Sequence, residues 1–359
     1  MSKPPWRRWA IRRALPLAIV VTSIALGGCS GAGTRPVSKT ELVLDTACTI
    51  SIYDQAPAHT LDRAFALLNQ INATMTIDSP GSELEEVNKA AGIHPVKVDP
   101  ELYAVIADAL RYARLTNGAF DITVGTLTKL WGIGRGNEVV PPRAEITRAL
   151  GRVDYRNVAL NNEAHTVYLS RPGMVIDLGG IAKGYAGDQV AALLEKAGVH
   201  HALIDLGGNI VAIGSRPDGS PWRIGIQDPN SPRGDYVGVV EISNKSVVSS
   251  GQYERFFDYK GRRYGHILST TTGFPVSNGI SSATIIASRS TDADALSTSV
   301  FALGVEKGLA LINSLPNVEA IILTDDDRVY LSTGMKDSFR ITDGAYSLAS
   351  RSRFSVPAP

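Results

Sequence analysis

The order in which strand-like and helical stretches follow one another constrains this chain more than any single motif does. "ELVLDTACTISIY" alternates apolar and polar residues as a strand does. "HTLDRAFALLNQINATM" sets Leu61, Phe65, Leu68 and Ile71 at helical spacing. "DPELYAVIADALRYARLTNGAFD" predicts a second helix, opened by Asp99-Pro100 and closed by Asn117-Gly118. "MVIDLGG" reads as a strand entering a glycine turn, "AKGYAGDQVAALLEKAG" as a helix stopped by Gly198, and "HALIDLGGNIVAIG" as a returning strand. The C-terminal part reads as several strands around one helix. This mixture lacks strict βαβα alternation, so it predicts an α+β fold rather than a doubly wound sheet. A length of 359 residues suffices for one large domain or two of ordinary size.

The N-terminus stands apart. "MSKPPWRRWAIRR" carries five positive charges and no acid, and "ALPLAIVVTSIALGG" is an uncharged apolar run that ends at Cys29. The run is short and closes on small residues, which predicts a signal peptide over residues 1–28. "LGGC" resembles a bacterial lipobox, with Cys29 as the lipidated residue. Residues 29–40 then read as a small, polar tether, 41–345 as the folded body and 346–359 as a tail. The expected location is the bacterial cell envelope, lipid-anchored and facing the periplasm or exterior. The whole chain is +1 and the leader +5, so the remainder is −4. That balance argues against nucleic acid as a partner. With Cys29 lipidated, Cys48 is the only other thiol, which rules out a disulfide within the chain. Its alternating surroundings read Cys48 as a small core residue.

Four stretches carry chemistry. "IDLGGIAKGYAGD" runs a strand into paired glycines and a helix bearing Lys183, an arrangement suited to a phosphate. It matches neither GxxxxGK[ST] nor GxGxxG, and a tight turn with an exposed lysine explains it as well. The second "IDLGG", at 204–208, leads into a strand without a lysine and reads as structural. In "TNGAFDITVG", Phe120 and Asp121 suit stacking on a base and accepting from its amino group; a core Phe and a turn Asp are the alternative. "SGQYERFFDYKGRRYGHILSTTTGFP" predicts a hairpin around Lys260-Gly261 and places His266 at the start of a polar loop. No HExxH spacing or Cys/His cluster supports zinc. In "STDADALSTSVFALG", Asp294 and Thr298 lie one helical turn apart. They suit a hard cation such as Mg²⁺ shared with a substrate phosphate. The competing account makes Thr291 or Asp292 the helix cap, Asp294 the capping-box partner of Thr291, and Thr298 a donor to the Asp294 carbonyl.

Together with "MTIDSPGSELEEVN" and "SSGQYERFF", these stretches resemble, in order, the ApbE family of FAD:protein FMN transferases of the lipoprotein type. The resemblance implies a T-fold-like arrangement of mixed sheets packed with helices. It implies that FAD is the substrate, Mg²⁺ the cofactor, and a Thr or Ser hydroxyl of an exported flavoprotein the acceptor of FMN, with release of AMP. It also implies Asp294, Thr298 and the Ala182 carbonyl as metal ligands. Ala119, Phe120 and Asp121 would meet the adenine side, and Leu44 and Asp78 would line the flavin pocket. Gly179, Lys183, His266 and Ile267 would follow the pyrophosphate and ribityl chain, with His266 and Asp294 as the catalytic pair. Two stretches depart from the family pattern. Leu44-Asp45-Thr46 stands for Met-Gly-Thr, and residues 269–272, Ser-Thr-Thr-Thr, stand for Asp-Pro-Arg-Thr, a change that bears on acceptor choice or flavin affinity. Two other functions compete: FAD pyrophosphatase, and non-catalytic flavin carriage by a lipoprotein.

Overall fold

The computed structural model describes residues 35–77 and 80–349. The expected leader over residues 1–28, the lipidation residue Cys29 and the flavin-pocket residue Asp78 lie outside the described residues. A nine-stranded sheet forms the body. Its order is Val37–Val43, Thr46–Ile52, Ala202–Leu206, Asn209–Ile213, Ser246–Gly251, Ile280–Ala287, Glu319–Thr324, Arg328–Leu331 and Ser347–Leu348. Neighbours are antiparallel except for the last pair, which is parallel.

The middle strands are apolar at consecutive positions because both faces of the sheet are covered. Val248, Ile285 and Ile322 join a core shared with Phe65, Leu68, Leu102 and Phe301 from the helices. Val247, Ile286 and Ile321 point to the other face, onto a small sheet of Trp222–Gln227, Tyr236–Ile242 and Phe339–Ile341. The split follows from side chains alternating across each strand. Each fully buried Leu, Ile or Phe in these layers contributes about 1.5–3 kcal/mol relative to exposure.

Helices Thr60–Met75, Pro100–Leu115, Ala182–Lys196 and Ser290–Leu303 cover the first face. The second begins as expected, with the Asp99 carboxylate accepting from Glu101 N–H at 2.8 Å. A third cluster gathers around Trp131, from helices Gly125–Trp131 and Arg143–Leu150 and the hairpin Phe256–Tyr259/Arg262–Gly265. That hairpin turns at Lys260-Gly261 with φ of 51° and 74°, as its sequence predicts. The α+β class and the mixed sheets packed with helices are therefore as expected.

Several boundaries differ. "ELVLDTACTISIY" is not one strand but a hairpin whose central residues, Leu44 and Asp45, both take left-handed φ of 56° and 55°. Without a glycine there, the turn was hidden. "HALIDLGGNIVAIG" is likewise a hairpin, turning at Gly207-Gly208. "MVIDLGG" makes only one bridge, Val124 to Val175, and is extended rather than a strand. The expected tether over 29–40 overlaps the strand Val37–Val43, and the expected tail over 346–359 contains the strand Ser347–Leu348. Residues 37–40 and 347–348 within these segments are ordered by pairing at the two edges of the sheet.

Candidate active site

Two helices from distant parts of the chain build the centre of the site. In Ala182–Lys196, Gly184 lies so close to Ser290–Leu303 that a Cβ there would stand 2.3 Å from the Ser290 carbonyl oxygen and 2.7 Å from Asp294 Cβ. This approach lets Gly184 N–H donate to Asp294 Oδ2 at 2.8 Å. Asp294 is only 3% exposed, and its Oδ1 stands 4.0 Å from Lys183 Nζ. Lys183 is held by Asn209 Oδ1 at 2.9 Å. One turn beyond Asp294, the Thr298 hydroxyl lies 3.4 Å from Ser250 Oγ and borders Gly180, where a Cβ would be 3.3 Å from it.

This geometry overturns the capping account. No side chain of the helix's own first turn caps it; the Asp188 carboxylate of the other helix accepts from Ser290 N–H at 2.7 Å and Thr291 N–H at 2.9 Å. The donor to the Asp294 carbonyl is Ser297 Oγ, at 2.9 Å, not Thr298. Asp294 and Thr298 instead face a cavity of about 380 Å³.

The same cavity is lined by Leu44, Ala119, Phe120, Asp121, Gly179, Ala182, Lys183, His266 and Ile267, so every expected site residue within the described part of the chain meets there. Cys48 does not: it is fully buried, and burial pushes its thiol up to about 11. Not all of the lining residues have free groups. Asp121 Oδ1 accepts from Thr123 N–H and Oγ1–H at 2.8 and 2.7 Å, and Oδ2 accepts from Tyr155 N–H at 2.8 Å. Its carboxylate is thus spent on its own turn and on the loop of Tyr155, close to the turn Asp of the alternative reading, and burial raises its pKa. Phe120 is 4% exposed and meets Tyr112 edge-on at 6.3 Å. The glycine turn also offers fewer donors than its sequence suggests. Gly179 N–H goes to Asp177 Oδ1, Ala182 N–H to the Leu178 carbonyl, and Gly184 N–H to Asp294.

His266 is neutral near pH 7. Burial, then the Arg255 and Lys183 cations, hold its pKa down at about 4. Its Nδ1 lies 3.2 Å from the Arg255 carbonyl, which only accepts, so Nδ1 carries the proton and Nε2 the lone pair. The departing loop at 269–272 keeps its shape through Ser269, whose Oγ accepts from Thr271 and Thr272 N–H at 3.3 and 3.2 Å. A serine turn does here what an aspartate turn does elsewhere. Thr270 Oγ1 then ties the loop to the Gly118 carbonyl at 2.7 Å.

Sequence reasoning missed three contributors. Asp177 accepts from Thr128 Oγ1 at 2.8 Å and pairs with Arg135 at 3.6 Å while its other oxygen holds the glycine turn. Ser250 bridges Ser297 and Thr298. Arg255 lines the cavity at the root of the hairpin. Asp177, Ser250 and Arg255 all stand inside quoted motifs, but local spacing does not say which polar residues of a motif meet at the cavity.

The ApbE family model matches residues 44–322. An FAD:protein FMN transferase of Treponema pallidum (strain Nichols) is 39% identical over 348 residues, covering 92% of this chain and 96% of its own. One of Klebsiella pneumoniae (strain 342) is 34% identical, covering 88% and 97%. Among solved structures, the ApbE protein of Thermotoga maritima superposes with a TM-score of 0.79 at 32% identity, covering 85% of this chain and 100% of that one. The flavin transferase ApbE of Vibrio cholerae gives 0.76 at 29%, covering 85% and 99%. With the family model matched over most of the chain, and with relatives and solved structures of this family similar along nearly its whole folded length, the chain belongs to the ApbE family of flavin transferases.

Proposed function

We propose that this protein moves FMN from FAD to a Thr or Ser hydroxyl of an exported acceptor flavoprotein and releases AMP. The observation that carries this reading is the convergence of Asp294, Thr298, Lys183 and His266 on one cavity. The names of the relatives support the same chemistry.

The donor set fits Mg²⁺. Asp294 offers a buried carboxylate oxygen whose nearest described partner is an ammonium at 4.0 Å, and the Thr298 hydroxyl lies one turn on. Among the described residues no three His, Cys, Asp or Glu converge. A cation that takes one carboxylate and completes its shell with substrate phosphates needs no such cluster. Asp294, Thr298 and the Ala182 carbonyl would hold it. A Mg²⁺ bound there would supply charge neutralisation for the pyrophosphate and the leaving group.

The protein's own groups do the rest by positioning and charge. Lys183 places an ammonium beside the phosphates. His266 Nε2 takes the proton of the acceptor hydroxyl as its oxygen bonds to the FMN phosphorus. The bond from that phosphorus to the bridging oxygen breaks, and AMP departs with the electron pair. The neutral ring, with Nδ1–H fixed on a carbonyl, is already in the tautomer this requires. The basic and apolar leader ending in "LGGC" supports an envelope location with Cys29 as the membrane anchor.

The test is to incubate the purified protein with FAD and Mg²⁺, with and without a candidate acceptor, and to follow AMP and acceptor-bound flavin. Flavinylated acceptor plus AMP is expected. FMN plus AMP at the same rate without acceptor would make it a pyrophosphatase, and intact bound FAD a carrier. Asp294→Ala should abolish turnover, and unchanged flavinylation by that variant would remove the metal assignment.

A further inference from the structure

The two helices at the centre of the site meet in a fixed register. Read against each other, Gly180 meets Thr298, Gly184 meets Asp294, and Asp188 meets Ser290 and Thr291. These are four-residue steps, one turn each, running in opposite directions along the two segments. Gly187 completes the contact, because a Cβ there would stand 3.2 Å from Ser290 Oγ. A slip of one residue at any step would carry Asp294 and Thr298 away from Ala182.

Asp188 is the carboxylate of this contact that binds the start of the facing helix. Its two oxygens take Ser290 N–H, Thr291 N–H and the Thr291 hydroxyl. The residue that should cap that helix, Arg289, has no acceptor to offer, and its guanidinium turns outward to Asp108 and Asp292. The helix start is therefore held from the opposite helix, with an anion at its positive end. We propose that Asp188 is the register pin of the metal site. It is a positioning residue that touches neither metal nor substrate but sets how far Asp294 and Thr298 stand from the Ala182 carbonyl. The inference rests on the metal reading above.

Asp292 supplies the internal control. It lies in the same first turn, but it pairs with Arg111, Arg289 and Tyr112, and among the described residues it makes no direct hydrogen bond or ion pair with Asp188's helix. The experiment is a calorimetric titration of Mg²⁺ into the full chain with FAD present, alongside the Mg²⁺ dependence of AMP release. Asp188→Asn should raise the half-saturating Mg²⁺ by about 10–100-fold, the range typical of groups that orient metal ligands. Its rate should recover towards that of the wild type at saturating Mg²⁺. Asp292→Asn should leave the half-saturating Mg²⁺ unchanged whatever it costs in stability. Thr291→Val, which removes one of the three bonds, should shift it in the same direction by less, and it carries the test if Asp188→Asn does not fold. Wild-type Mg²⁺ affinity in Asp188→Asn, or an equal shift in Asp292→Asn, would overturn the inference and leave the metal reading standing. If the wild-type chain itself takes up no Mg²⁺ in the presence of FAD, the metal reading fails and the pin fails with it.

Discussion

Gly184→Ala sets two physical effects against each other at the centre of the site. Helix propensity alone favours alanine by about 1 kcal/mol. Against it, ordinary contact begins at 3.4 Å, whereas the new Cβ would stand 2.3 Å from the Ser290 carbonyl oxygen, so the helices must part by about 1 Å. The opposing atoms are a backbone carbonyl and Asp294 Cβ, not the free end of a flexible side chain. Overpacking of this kind costs about 1–3 kcal/mol, which leaves a net loss of roughly 1 kcal/mol once the propensity gain is subtracted. Function should suffer far more, because a 1 Å displacement of a reacting group costs on the order of 100-fold. Urea unfolding followed by tryptophan fluorescence reads the first quantity and AMP release from FAD the second. The expected signature is a slight destabilisation with a rate near one-hundredth of wild type. A variant about 1 kcal/mol more stable, with undiminished turnover, would refute the claim that the glycine is there for the approach of the two helices.

Thr298→Val keeps the shape and removes the oxygen, so the half-saturating Mg²⁺ should rise by about 10-fold or more while Thr298→Ser stays near wild type. An unchanged Mg²⁺ dependence in the valine variant would take Thr298 out of the ligand set. Asp121→Asn should destabilise by about 1–3 kcal/mol, since an amide cannot accept from both Thr123 and Tyr155. Its affinity for FAD should fall only as far as folding does; a selective loss of FAD binding at full stability would restore Asp121 as a direct contact. His266 makes stability depend on pH in a defined direction. The unfolded ring titrates near 6.5 and the folded one at about 4, so between them only the unfolded chain takes up the proton. The contribution is whole above pH 6.5 and shrinks as acid is added towards pH 4. His266→Gln should flatten that part of the profile, and an unaltered slope would contradict the half-buried, neutral ring.

The long helices were legible because their apolar residues recur with one-sided spacing, and the hairpin at Lys260-Gly261 because glycine advertised its turn. The hairpin at Leu44-Asp45 was not, since neither residue signals left-handed backbone. Asp294 and Thr298 could be paired from four-residue spacing alone, but their true neighbours could not. Gly184 lies 110 residues from Asp294, and Asp188 lies 102 from Ser290. Local capping rules therefore nominated Thr291 and Asp292 for a task that tertiary contact gives to Asp188. Asp121 shows the converse case: a carboxylate that looked available had been claimed by Thr123 two residues on and by Tyr155 from another loop.

The nine-stranded sheet begins at one border with Val37–Val43 and ends at the other with Ser347–Leu348. Eight inter-strand steps of about 4.8 Å put those borders roughly 38 Å apart. A loop joining them in a circularly permuted protein would need at least about 11 extended residues, and a shorter one would strip a border strand from its neighbour. Spectroscopic labels placed on the two border strands themselves would make the pair a natural ruler for distance measurements across the sheet.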